Sequence, residues 1–304
     1  MALAFPKGTP KPPTSIFEHS EETETGQGRE RIGQATVLVS LDGTGDTDDI
    51  QEAIDMLPPT GGTVYLKAGT YNLDATIMIT KANVQLIGEG RAAHLKNVNN
   101  QRVIWIDTVD NILISGLKIE GSLTAGGNND GIYIDESNQS IIQNCYILNM
   151  GAHGIHFPGL SNQFHILNNE VFECAENGID IHSCAGSIIT GNRLRANKHH
   201  GIYSIGLDEC IINGNNFLYN GTNTEGWNGI NCENDDNCIF SNNMIESSRN
   251  YGIELDASSS ENIIMGNMFQ GNVTGAVLDN GTNTHPNGAS GTNNLALDDL
   301  NILS

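Results

Sequence analysis

Short apolar runs with a period of two punctuate the chain from Gly131 to Gly275. Ile132/Ile134, Ile155/Phe157, Ile179/Ile181, Ile230/Cys232 and Ile253/Leu255 each follow a glycine, with one polar or aromatic residue between the partners. Alternation over so few residues predicts a strand with one buried face. The glycines Gly131, Gly154, Gly178, Gly201, Gly229, Gly252 and Gly275 are spaced by 23, 24, 23, 28, 23 and 23 residues. A fixed period in this range predicts a solenoid, whose units bury their apolar faces only by stacking. No stretch in this region keeps helical spacing, and the framework of leucine-rich repeats is missing. The long step contains "NGTNTEGWN", an insertion expected to loop out without breaking the stack.

The second half of each unit carries an Asn after a β-branched pair: Asn169, Asn192, Asn215, Asn243 and Asn267, with Cys145 in that place in "IIQNC". Asn tolerates the left-handed conformation of a tight turn. Stacked at the same turn, its amides can hydrogen-bond along the pile. The predicted fold is therefore all-β: a single-stranded, right-handed parallel β-helix with coils of about 23 residues, spanning 36–280.

The ends read differently. Residues 1–35 are polar and predict an extended arm. Ile50, Ala53, Ile54 and Leu57 keep helical spacing behind Asp46 and Thr47, either of which can cap. A short helix over 47–57, stopped by Pro58 and Pro59, would cover the open edge of the first coil. Residues 281–304 predict a loop followed by a capping segment.

The stretch from Asp42 to Gly90, with the coil grammar that follows, resembles the entry segment of the pectate-lyase-like superfamily of right-handed β-helices. That superfamily includes polygalacturonases, pectin methylesterases, mannuronan epimerases, polysaccharide lyases and phage tailspikes. The resemblance implies a polysaccharide partner and, through the tailspikes, carboxylate chemistry without a cofactor. Tailspikes further imply a homotrimer attached to a virion.

With the isoleucines inward, the residues between them form columns on one outer face. The first runs Tyr133, His156, Asp180, Tyr203, Asn231, Glu254, and the second includes Asp135, His182, Glu233 and Asp256. The preceding turn carries Asp130, His153, Glu176, His199, His200, Trp227 and Tyr251. Aromatic rings beside carboxylates suit a sugar. Glycoside hydrolysis needs two carboxylates, about 5–5.5 Å apart in retaining and about 6.5–9.5 Å in inverting enzymes. The expected catalytic set is Asp180, Glu233, Glu254 and Asp256, with His182 and His200 tuning them. Tyr133, Asp135, His153, His156, His199, Tyr203, Trp227, Asn231 and Tyr251 are the expected substrate contacts.

Family motifs are matched only in fragments. "NNDG" and "HHG" resemble polygalacturonase boxes, but the paired-Asp position reads "GAHG". "HGIHFPG" lacks the Tyr, Asp and terminal His of the epimerase box, and no pectin methylesterase Gln-Asp-Thr-Leu follows the cap. Lyase and epimerase readings rank below hydrolase. A non-catalytic structural or adhesive β-helix is the other alternative.

A formal charge of −22, from 14 Lys+Arg against 36 Asp+Glu, argues against nucleic acid, anionic lipid and polyanionic substrates. No apolar run approaches membrane-spanning length. "MALAFPKGTPKPPTS" has Pro and Lys where a signal peptide is apolar, so no secretory signal is expected. The matching localisation is virion-associated or cytoplasmic as made, with extracellular action left open. Six Cys lack metal-ligand spacing, so neither zinc nor a disulfide scaffold is expected. No metal site is expected. Calcium at the acidic "ENDDN" is the one cofactor left open. Cys210 and Cys238 should stack in adjacent coils as buried thiols, open to bridging by an oxidant.

Overall fold

The computed structural model describes residues 35–123, 128–223 and 226–284, together with the backbone of 302–303. The expected N-terminal arm and most of the expected C-terminal loop and cap lie outside these residues. The rest winds into a right-handed parallel β-solenoid of about 10 turns.

Each full coil contributes three short strands. In one coil these are Ile179–His182, Ile188–Thr190 and Arg193–Arg195; in the next they are Ile202–Ile205, Ile211–Asn213 and Asn216–Leu218. Every strand pairs in parallel with its counterpart one coil on: Ile179 with Ile202, Ile188 with Ile211, Arg193 with Asn216. The 28-residue step keeps that register, since Ile202 pairs directly with Ile230. The insertion therefore leaves the stack intact.

Inward isoleucines fill the tube. Ile132, Ile155, Ile179, Ile202, Ile230 and Ile253 are each 0% exposed. The glycine before each of these is required by space. A Cβ on Gly131 would sit 2.5 Å from the Gly154 carbonyl oxygen, and one on Gly154 would sit 2.6 Å from that of Gly178. The repeat thus records where the backbone of one coil lies directly against the next.

The expected Asn ladder is present, with one change. The left-handed residue is the one before each ladder position: Asn144, Asn168, Gly191, Gly214, Asn242 and Gly266 all have positive φ. The ladder amides point inward and are buried. Asn192 Nδ2 donates to the Ile166 carbonyl (2.8 Å) and to Asn215 Oδ1 (3.0 Å), while its own Oδ1 accepts the Asn169 backbone N–H (2.9 Å). Cys145 takes the ladder place as expected and donates its backbone N–H to Asn169 Oδ1. A second ladder at the next turn escaped the sequence reading. Cys174 N–H donates to Asn197 Oδ1, and Asn197 N–H to Asn220 Oδ1.

The helix spans Ile50–Met56. Its cap is Asp49, not Asp46 or Thr47: the Asp49 carboxylate accepts the Glu52 N–H at 2.8 Å. Asp46 instead accepts the Leu38 N–H, and Thr47 Oγ1 accepts the Asp49 N–H before the helix starts. Ile50, Ala53 and Ile54 are buried on the first coils. Leu57 is extended ahead of Pro58, as the proline requires. Cys210 and Cys238 stack in adjacent coils, and all six cysteines are buried free thiols.

Asn192→Ala should destabilise the protein by about 2–4 kcal/mol, because it strands the Ile166 carbonyl and the Asn169 N–H in the core. Urea unfolding followed by circular dichroism checks this, with Asn72→Ala, on an exposed strand position, expected to change stability far less.

Candidate active site

The polar ends of the outer columns converge on a cleft of about 590 Å³. Eleven of the expected residues line it: His153, His156, Asp180, His182, His199, His200, Tyr203, Trp227, Asn231, Glu233 and Glu254. Register explains the convergence. His156 pairs with Asp180, Asp180 with Tyr203, Tyr203 with Asn231, and Asn231 with Glu254. His182, Ile205 and Glu233 form the neighbouring column.

Four expected residues stand outside the cleft. Asp256 is spent on backbone, accepting the N–H groups of Ser258 and Ser259 on its own turn and of Asn234 in the preceding coil. Tyr133 is engaged elsewhere, with the Arg102 guanidinium 3.3 Å from its centroid on one face and Trp105 in a T-shaped contact. Asp135 lies at the far end of its strand, paired with Asp107. Tyr251 opens its strand half-buried and away from the lining. Conversely, Glu176, Asn177 and Asn228 line the cleft without having been expected to bind.

The turn before the glycines forms a third ladder, built from the site residues themselves. Asp130 accepts the His153 N–H, and His153 Nδ1 accepts the Asn177 N–H (3.3 Å). Asn177 Oδ1 then accepts the His200 N–H, His200 Nδ1 the Asn228 N–H (3.0 Å), and Asn228 Oδ1 the Tyr251 N–H. Its members immediately precede the glycines. Glu176, His199 and Trp227 come one residue earlier and wall the cleft instead. An acceptor is needed at each rung, so Asp, Asn and neutral His interchange there.

Asp180 is the hub. It is 4% exposed, yet lies among three imidazoles: His182 Nε2 at 2.8 Å and His156 Nε2 at 3.8 Å from Oδ1, and His153 Nδ1 at 3.5 Å from Oδ2. Asn177 Nδ2 donates to Oδ2 at 2.6 Å. Burial pushes the carboxyl pKa up, but His182, His153, His156 and Asn177 together hold it below the ordinary value. Asp180 is therefore ionised at neutral pH despite being buried.

The far wall is aromatic. Trp227 stacks on His199 with centroids 4.4 Å apart, and Tyr203 stacks on His200 at 5.5 Å. Burial, then the neighbouring Glu233, raises the Tyr203 hydroxyl pKa. Burial, reinforced by His199, pushes His200 down to about 3. Neutral His200 is what its ladder role demands, because Nδ1 must keep a lone pair for Asn228. Asn231 and Asn228 bridge the remaining acids: Asn228 Nδ2 donates to Asn231 Oδ1 and to Glu254 Oε2 (2.7 Å).

This geometry accords with the comparisons. A family model described as "Periplasmic copper-binding protein (NosD)" matches residues 96–295, and a rhamnogalacturonase A/epimerase, pectate lyase-like model matches residues 39–109. The protein is thus a pectate-lyase-like β-helix. Within that class, the chain belongs to the NosD family. No curated protein sequence matches it.

Solved structures share the fold at low identity. Tailspike protein 2 from the Escherichia coli O157:H7 bacteriophage CAB120 is 15% identical, with a TM-score of 0.62 over 72% of this chain and 32% of that one. The catalytic domain of a GH87 alpha-1,3-glucanase in complex with nigerose is 14% identical, with a TM-score of 0.63 over 88% and 47%. Pectate lyase Pel9A is 12% identical, with a TM-score of 0.63 over 86% and 82%. The chain therefore spans about a third of that tailspike's length.

Copper, named in the family description, asks for imidazole, thiolate or thioether donors. The cysteines do not fit: all six are buried, and burial pushes Cys145, Cys174 and Cys184 up to about 12. The imidazoles beside Asp130 do fit. One donor atom each from Asp130, His153 and His156 lies within 4.8 Å of the other two.

His200→Asn should keep the ladder, since Asn fills that rung in the coils on either side. It should also remove an acid-labile group. The folded pKa of His200 is depressed below 6.5, so the unfolded chain binds the extra proton between about pH 3 and 6.5, and stability falls as pH falls through that window. At pH 5 the variant should recover about 2 kcal/mol of this penalty, at about 1.4 kcal/mol per pH unit below 6.5. Urea unfolding of both proteins at pH 5 and pH 8 reads the difference.

Proposed function

We propose that this β-helix binds a polysaccharide along the cleft and hydrolyses its glycosidic bonds, as a tailspike-like depolymerase does. The observation that carries the reading is Asp180: a buried carboxylate kept ionised at the floor of an open cleft walled by aromatic rings. Burying a charge is costly unless it is paired or used. Here the pairing comes from imidazoles that themselves face the cleft.

Asp180 serves as the base that activates water. Glu233, beside the Tyr203 hydroxyl, serves as the acid on the leaving oxygen. The two are two coils and one column apart, roughly 10 Å along the axis alone, so the side chains would have to lean together across the cleft to reach the inverting range of about 6.5–9.5 Å, far above the retaining distance. Inversion of configuration is the expected outcome. Trp227 and Tyr203 supply rings for the CH faces of sugars. The lining contains no Lys or Arg, which favours a neutral glycan over a uronan. The fold shared with a tailspike, a glucanase and a pectate lyase supports a polysaccharide as the partner.

Reducing-end release from a panel of neutral glycans tests the assignment. Asp180→Asn and Glu233→Gln should each lower kcat roughly a thousandfold while retaining bound oligosaccharide. If wild type retains oligosaccharide and releases nothing, the protein is a binding module. An unsaturated, ultraviolet-absorbing product would instead make it a lyase.

A further inference from the structure

We propose that Asp130, His153 and His156 form a binding site for one divalent first-row transition-metal ion at the edge of the cleft. The site is made by stacking. Asp130 and His153 occupy successive rungs of one ladder, and His156 follows three residues later on the adjoining strand. One donor atom from each lies within 4.8 Å of the other two. Asp130 is 2% exposed, so its charge is withdrawn from water.

An unpartnered atom points the same way. His156 Nδ1 is buried and makes no hydrogen bond; it faces Asp130 Oδ2 at 3.5 Å. Asp180 Oδ1 and His182 Nε2 take each other as partners at 2.8 Å, which leaves His156 without either. Buried polar atoms normally find partners. His156 Nδ1, beside the buried Asp130 carboxylate, is a buried polar atom without one.

His153 is prepared for the role. Its Nε2 contacts Glu176 Oε2 at 2.9 Å, which places the ring proton there and leaves Nδ1 with its lone pair. A carboxylate on the far nitrogen is the usual way a metal-binding imidazole is oriented. Nδ1 holds the Asn177 N–H at 3.3 Å, a long ladder bond that a metal ion on this nitrogen would displace. The local charge also suits a cation. Asp130, Asp180 and Glu176 surround the site, opposed by one guanidinium: Arg102 Nε lies 3.4 Å from Asp130 Oδ2, and its planar group is held against Tyr133.

Two imidazoles and one carboxylate select Zn²⁺, Cu²⁺, Ni²⁺ or Fe²⁺ over Ca²⁺ and Mg²⁺, which take oxygen ligands. The family description names copper, and these residues supply a place for it that the description does not give. The site is independent of the glycan-cleaving reading, since it needs no sugar and no turnover.

Full-length, tag-free protein stripped by chelator and titrated calorimetrically with Cu²⁺ and Zn²⁺ tests it, with Ca²⁺ and Mg²⁺ as controls. One Cu²⁺ or Zn²⁺ should bind per chain, and the Cu²⁺ paramagnetic resonance spectrum should show coupling to two imidazole nitrogens. Asp130→Asn and His156→Ala, shown to be folded by circular dichroism, should each weaken binding at least tenfold, while His165→Ala on another face should not. No stoichiometric uptake, or uptake undiminished in both site variants, overturns the proposal. Glycan assays run alongside separate the two readings: loss of either result leaves the other standing.

Discussion

Hydrogen bonds between one coil's backbone and the next are the interaction on which the rest of this protein depends. Ile155 donates to Gly178, Ile179 to Gly201 and Ile202 to Gly229, each at 3.0–3.1 Å. These bonds hold coils at the spacing of adjacent strands, about 4.8 Å. That spacing leaves no room for a side chain at the glycine, and it forces every inward residue onto its equivalent in the next coil. A core of stacked isoleucines follows, with buried amides satisfying the turns.

The same constraint builds the cleft. Outward residues contribute little to the core, so their identities can vary from coil to coil while their positions stay fixed. Five coils bring His156, Asp180, Tyr203, Asn231 and Glu254 into one column. The insertion adds the wall that the coils alone would lack, since Trp227 lies at its end. Rigidity comes from the backbone, and chemistry comes from what each coil displays.

The fold was legible because it is periodic: glycine spacing, two-residue alternation and the Asn after each β-branched pair all repeat. Much of the cleft was legible for the same reason, because register converts sequence spacing into neighbourhood. What failed was local. Asp256 read as a catalytic acid and Asp46 or Thr47 as the helix cap, and only the backbone N–H groups nearby decide that Asp256 is tied to the backbone and that Asp49 is the cap. Tyr133 read as a sugar platform because nothing in the chain reveals that Arg102, about thirty residues earlier, covers its ring. The Asp130–His153–His156 grouping was invisible because metal-ligand patterns are sought within a short stretch, whereas here a coil separates the donors.

At the turn that faces the cleft, each rung must present a lone pair to the neighbouring coil, and carboxylate, amide and neutral imidazole all satisfy that demand. Exchange among these three groups is therefore nearly free for the scaffold, yet it decides whether a rung is inert or reactive. A solenoid of this kind can acquire or discard a reactive group by single substitutions at one turn, with its architecture unaware of the change.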